Sequence, residues 1–182
     1  MKEIQRYSRN IRVVLQALML LLPLSVVYFW AFVQTPWDFL TTTGIIQFSH
    51  DISSYTSQPL SIETRMWALV VSLLPCGVIF YALLILTKLF KSYEASEVFT
   101  VETVKYYRKL GLSFFYWAFG GLVYGGLISV VLSFNNPPGQ RILSISFTGL
   151  DVVTLFCGMI VLVISYVMNE AQKIADEQRH TI

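Results

Sequence analysis

Four long apolar runs divide this chain and leave few architectures open to it. They are IRVVLQALMLLLPLSVVYFWAFV at 11–33, MWALVVSLLPCGVIFYALLILT at 66–87, LGLSFFYWAFGGLVYGGLISVVLSF at 110–134 and GLDVVTLFCGMIVLVISYVM at 149–168. A helix of about 20 apolar residues crosses the hydrocarbon core of a bilayer. Inside that core every backbone amide needs an internal partner, which an α-helix supplies by itself. The pattern predicts an all-α polytopic membrane protein, a four-helix transmembrane bundle forming a single integral membrane domain over 1–182. Only 13% of the 182 residues are charged, against roughly a quarter in soluble domains. The first run is long for a signal peptide, and VYFWAFVQTPW lacks the small residues of a cleavage site. Tyr28, Phe29, Trp30 and Trp37 read as an interfacial belt on a retained span. Pro23 removes one helical donor within it.

Between the runs the language changes. Residues 34–65 form a turn-rich, slightly acidic loop, with Ser61 placed to cap the helix after it. Trp37, Phe39, Ile46 and Tyr55 are its candidates for packing onto the bundle. A second loop, 135–148, opens on the turn NNPPGQ. GIIQF at 44–48 and RILSISF at 141–147 alternate like short strands and, if paired, would make a small two-stranded extracytoplasmic sheet. Asp151 sits where a helix N-terminus favours an acid. The second helix continues through KLFKSY. Thr100 is placed to cap an amphipathic stretch carrying Val101, Val104, Tyr107 and Leu110, which reads as an interfacial helix or as a plain loop helix. Phe99, Val104, Lys105, Arg108 and Lys109 are its candidate interfacial anchors. Gly121 and Gly125 form a small-xxx-small pair, suited to helix packing within the chain, to a homo-oligomer face, or to neither.

Loop charge sets the orientation. Eleven of the thirteen basic residues fall in three segments. Lys2, Arg6, Arg9 and Arg12 precede or enter the first span. Lys88, Lys91, Lys105, Arg108 and Lys109 occupy 88–109. Lys173 and Arg179 lie in the tail, 169–182. Arg65 and Arg141 are left for the other side. The positive-inside rule then places both termini and the 88–109 segment in the cytoplasm of a plasma (inner) membrane. The tail reads as a helical extension of the last span.

SLLPCGVIFYALLILTKLFKSYEASEVFTVETVKYYRKLG and EAQKIADEQRHTI together resemble the bacterial family named for domain of unknown function 2975, small four-helix membrane proteins. The resembling features are Leu74-Pro75, Phe90 and Tyr93. Phe99-Thr100, Val104 and the basic pair from Arg108 to Gly111 follow, and the tail closes on Glu177, Thr181 and Ile182. The resemblance covers about 60–182. This chain departs from it at Glu94, where members often carry Gly, so the turn there is expected to differ. Many members are encoded beside small helix-turn-helix regulators. The resemblance therefore implies a membrane partner for a cytosolic DNA-binding protein.

No constellation for catalysis stands out. There is no H-E-x-x-H, G-x-S-x-G, P-loop or paired CxxC motif. His50 and His180 fall on opposite sides of the predicted bilayer. Cys76 and Cys157 read as packed thiols. The expectation is a non-enzyme with no cofactor and no metal. No acid or base lies well within a span, which disfavours an ion-coupled pump. A net charge of +2 gives no basis for direct nucleic-acid binding. The leading expectation is a regulatory or scaffold protein in membrane lipid that holds a cytosolic partner. Glu170, Lys173, Ile174, Glu177, Arg179, Thr181 and Ile182 are the candidate contacts. The alternatives are a small transporter, channel or peptide-resistance subunit, or a structural subunit of a membrane complex.

Overall fold

A computed structural model describes residues 2–35, 37–39, 52–56 and 58–180, with the side chains of residues 2, 53 and 178–180 left out. Among the described residues there are four long α-helices: α1 Lys2–Phe32, α2 Ile62–Glu94, α3 Val101–Ser133 and α4 Gly149–His180. All four are long and apolar enough to cross a membrane. The chain is a multi-pass membrane protein of the four-helix bundle class. Most of each apolar stretch stays exposed on the protein, as lipid-facing helices require: only 11–28% of the most apolar windows is buried.

The helix starts follow the capping chemistry of their sequences. Ser61 Oγ accepts from Thr64 N at 3.2 Å and opens α2. Thr100 Oγ1 accepts from Thr103 N at 3.3 Å and opens α3. Before α4, the Asp151 carboxylate accepts from both Thr148 N and Thr148 Oγ1, at 2.7 and 2.8 Å. Thr148 in turn caps the helix through its carbonyl. Each arrangement satisfies amide groups that a helix end leaves without internal partners. α2 runs on through KLFKSY, and α4 extends well beyond residue 168, as the sequence predicts.

Two expectations need correction. There is no separate interfacial helix: residues 101–109 are the first turns of α3, which continues unbroken to Ser133. Nor does 141–147 form a strand of any sheet among the described residues, and its expected partner, 44–48, lies outside them. The segment instead bonds to α3. Ile142 N donates to Ser133 Oγ at 3.0 Å, and Ser144 N donates to Ser129 Oγ at 2.9 Å. Ser133 Oγ donates back to the Ile142 carbonyl at 3.1 Å. Two helix hydroxyls thus do the work of a neighbouring strand. Leu143, Ile145 and Phe147 are left 55–68% exposed.

The packing divides into two compact units. One comprises Leu21–Gly77 and Gly120–Phe147. Its core is Phe29, Trp30, Val33, Ile52, Tyr55, Leu60, Ala68, Ile128 and Leu132. Trp30, 2% exposed, donates its Nε1–H to Ser72 Oγ at 2.8 Å. The NNPPGQ turn is more than a connector. Asn136 Nδ2 donates to the Tyr55 and Gln140 carbonyls, and its Oδ1 accepts from Thr56 at 2.9 Å. Asn135 Nδ2 donates to Thr64 Oγ1 at 2.9 Å. Of the four loop aromatic and aliphatic candidates, Tyr55 is buried while Trp37 and Phe39 stay exposed. Ile46 lies outside the described residues.

The other unit comprises Met1–Leu20, Val78–Phe119 and Thr148–Ile182. Here α3 and α4 approach closely. A methyl group added at Gly158 would lie 2.9 Å from Phe115 Cε2, 3.0 Å from Phe114 Cβ and 3.1 Å from the Gly111 carbonyl oxygen. One added at Gly111 would meet Leu162 at 2.8 Å. Ser165 Oγ donates across the same helix pair to the Val104 carbonyl at 3.2 Å.

Candidate functional site

The segments assigned by charge to the cytoplasm all belong to this second unit. α2 ends in a two-bond cap: Glu97 N donates to the Ser92 carbonyl at 2.9 Å, and Ser96 N to the Tyr93 carbonyl at 3.0 Å. This bonding requires a left-handed residue after the helix, and Ser96 takes that conformation with φ 63°. The sequence marks Glu94 as the departure from the family pattern. In the structure Glu94 is the last residue of α2, and the left-handed position falls two residues later.

The freed Glu94 side chain has a partner. Its Oε2 lies 2.9 Å from Arg12 Nη2, with both side chains about three-quarters covered. Arg12 Nε is buried without a hydrogen-bond partner among the described residues. A second tether lies further toward the N-terminus, where Gln5 Nε2 donates to Ser96 Oγ at 3.1 Å. The N-terminal arm is therefore helical from Lys2 and fixed to the end of α2. Tyr93 and Tyr107 share a hydrogen bond of 2.6 Å between α2 and α3.

The candidate anchors divide by exposure. Phe99 is 51% exposed. Lys105, Arg108 and Lys109 are exposed, and Val104 is half-buried. Lys105 Nζ pairs with Glu102 at 3.2 Å in the first turn of α3. The two glycines singled out in the sequence do not mark the close approach. Gly121 has open space where a side chain would point, and at Gly125 the nearest atom is the Ser144 carbonyl oxygen at 3.8 Å. The crowded glycines, Gly111 and Gly158, sit on different helices, and Gly111 has no small residue four positions away on either side.

In the tail, Glu170 and Lys173 form an exposed ion pair at 2.7 Å. Ile174 is 56% exposed beside them, and Glu177 is exposed as well. Gln172 is 9% exposed and bonds Asp176 on another face of the helix. Arg179 lies within α4 without a described side chain, and Thr181 and Ile182 fall outside the described residues. Cys76 and Cys157 are free thiols. Among the described residues no three His, Cys, Asp or Glu side chains are grouped to hold a metal ion.

Neither a search of curated proteins nor one of solved structures finds a match to this chain. A family model does, over residues 49–182, which take in α2, α3, α4 and the end of the first loop. The match spans most of the chain, and the chain belongs to the family of proteins of unknown function DUF2975.

Proposed function

We propose that this protein is a non-enzymatic bacterial inner-membrane regulator or scaffold that binds a cytosolic protein through its C-terminal helix. The observation that carries the reading is the tail. α4 continues as one helix to His180, beyond the apolar run that ends near residue 168. On it Ile174 stands exposed among Glu170, Lys173 and Glu177. An exposed aliphatic residue within a mixed-charge helix face suits a protein partner, with apolar contact for affinity and charge for orientation. The neighbourhood of helix-turn-helix regulators implied by the family resemblance points to the same kind of partner.

The test is an affinity capture from native membranes in mild detergent, comparing the full chain with one stopped after Asn169. A soluble DNA-binding protein recovered with the full chain alone supports the proposal. Integral membrane proteins recovered equally with both baits would replace it with a structural-subunit role. No specific protein with either bait would remove the stable-partner reading.

A further inference from the structure

The α1 face that docks on α2 carries three polar positions in succession, Gln5, Arg9 and Arg12. They share one face by helical spacing. The outer two are engaged, Gln5 with Ser96 and Arg12 with Glu94. Arg9, between them, has no carboxylate within 4 Å among the described residues, and neither has Arg6 one turn away. Both are exposed. Gln5, Arg6, Arg9 and Glu94 line an open cleft of about 400 Å³. Glu94 is already matched by Arg12, so the Arg6 and Arg9 charges are left over.

We propose that this cleft binds the phosphate of an anionic phospholipid headgroup, with Arg6 and Arg9 as its principal ligands. Guanidinium groups present paired N–H donors that match phosphate oxygens. The position selects a lipid over a soluble anion. Arg9 lies two residues before the apolar run that begins at Ile11, hence at the level of headgroups. Ile4, Tyr7 and Ile11, on the opposite face of α1 by helical spacing, are exposed at 54%, 66% and 40% and suit this part of the helix to the membrane interface. The two tethers hold the cleft open in advance, so binding need not order the arm. The inference does not rest on the tail.

The experiment uses the full-length chain reconstituted in phosphatidylcholine nanodiscs doped with phosphatidylglycerol. After extraction, mass spectrometry measures the ratio of the two lipids retained. Wild type should retain phosphatidylglycerol preferentially, and R6Q/R9Q should lose that preference by on the order of tenfold or more. Arg9→Lys, which keeps the charge but not the paired donors, should fall between them. K105Q/K109Q removes as many charges elsewhere and should retain most of the preference. Equal loss in the two double variants would mean diffuse charge attraction and overturn the site. So would an unchanged preference in R6Q/R9Q with Arg9→Lys also unchanged. Inorganic phosphate is titrated in a separate arm. Displacement of the lipid at millimolar phosphate would identify a soluble anion as the ligand and overturn the lipid assignment.

Discussion

At the scale of single residues, the most informative position is Ser96. It takes a left-handed φ of 63° that closes the α2 cap. For a residue with a Cβ this conformation costs roughly 1–2 kcal/mol, and glycine avoids the cost. The Ser96 hydroxyl also receives the Gln5 amide, so a single replacement would mix two effects. A pair of variants separates them. Ser96→Gly and Ser96→Ala both remove the hydroxyl, and only glycine relieves the backbone. Ser96→Gly should therefore be the more stable of the two by about 1 kcal/mol, read as the difference in thermal unfolding in detergent. Equal stabilities would show that the turn relaxes when the hydroxyl is lost. The sequence suggests an altered turn here, because Glu94 replaces the family glycine. It does not place the strain at Ser96, because a Schellman cap is defined by its bonds and serine is not its usual residue.

At the scale of elements, what was legible depended on whether the signal was local. Ser61 and Thr100 are read correctly because capping joins residues three apart in sequence, and Asp151 falls in the first turn of α4, where the sequence places an acid. The continuation of α2 and α4 beyond their apolar runs is likewise written in uninterrupted helical spacing. RILSISF alternates like a strand but forms none, and period-two patterning does not name the group that satisfies its amides. Here Ser129 and Ser133 do so, and no local pattern pairs them with residues 142 and 144. Helix contact was the least legible feature. Gly121 and Gly125 have the expected spacing, yet the tight crossing depends on Gly111 meeting Leu162 and Gly158 meeting Phe114 and Phe115, pairings made across helices. The difference is measurable. Gly158→Ala forces a methyl against backbone oxygen and two phenylalanines, and should destabilise the protein by about 1–3 kcal/mol, the usual cost of overpacking. Gly121→Ala has room for its methyl and should be neutral or slightly stabilising through helix propensity. Both are compared by thermal aggregation of the purified chain. Equal behaviour would show that α3 and α4 slide apart at little cost.

At the scale of the whole molecule, orientation comes from charge and decides what the tail can do. With eleven of thirteen basic residues in the N-terminal arm, the 88–109 segment and the tail, four crossings bring all three to one side. A cytosolic partner on α4 requires that arrangement. The measurement starts from a chain with Cys76 and Cys157 replaced by alanine, into which single cysteines are introduced. Gln140→Cys, in the exposed NNPPGQ turn, should react with a membrane-impermeant maleimide on intact cells. Ser96→Cys and Glu177→Cys, both at exposed positions, should react only after the membrane is opened. The reverse pattern would put α4 outside the cell and remove the cytosolic partner from the proposal. Labelling of all three on intact cells would indicate insertion in both orientations, which two basic residues on the opposite side, Arg65 and Arg141, are too few to drive. Arg65 also donates to the Ala31 carbonyl at 3.0 Å, and Arg141 stacks its guanidinium over the Phe134 ring at 4.9 Å. Both local engagements pair the minority charges with their own side of the protein. The charge asymmetry on which the positive-inside expectation rests is carried by the same segments that supply the α1–α2 cleft and the exposed face of the tail.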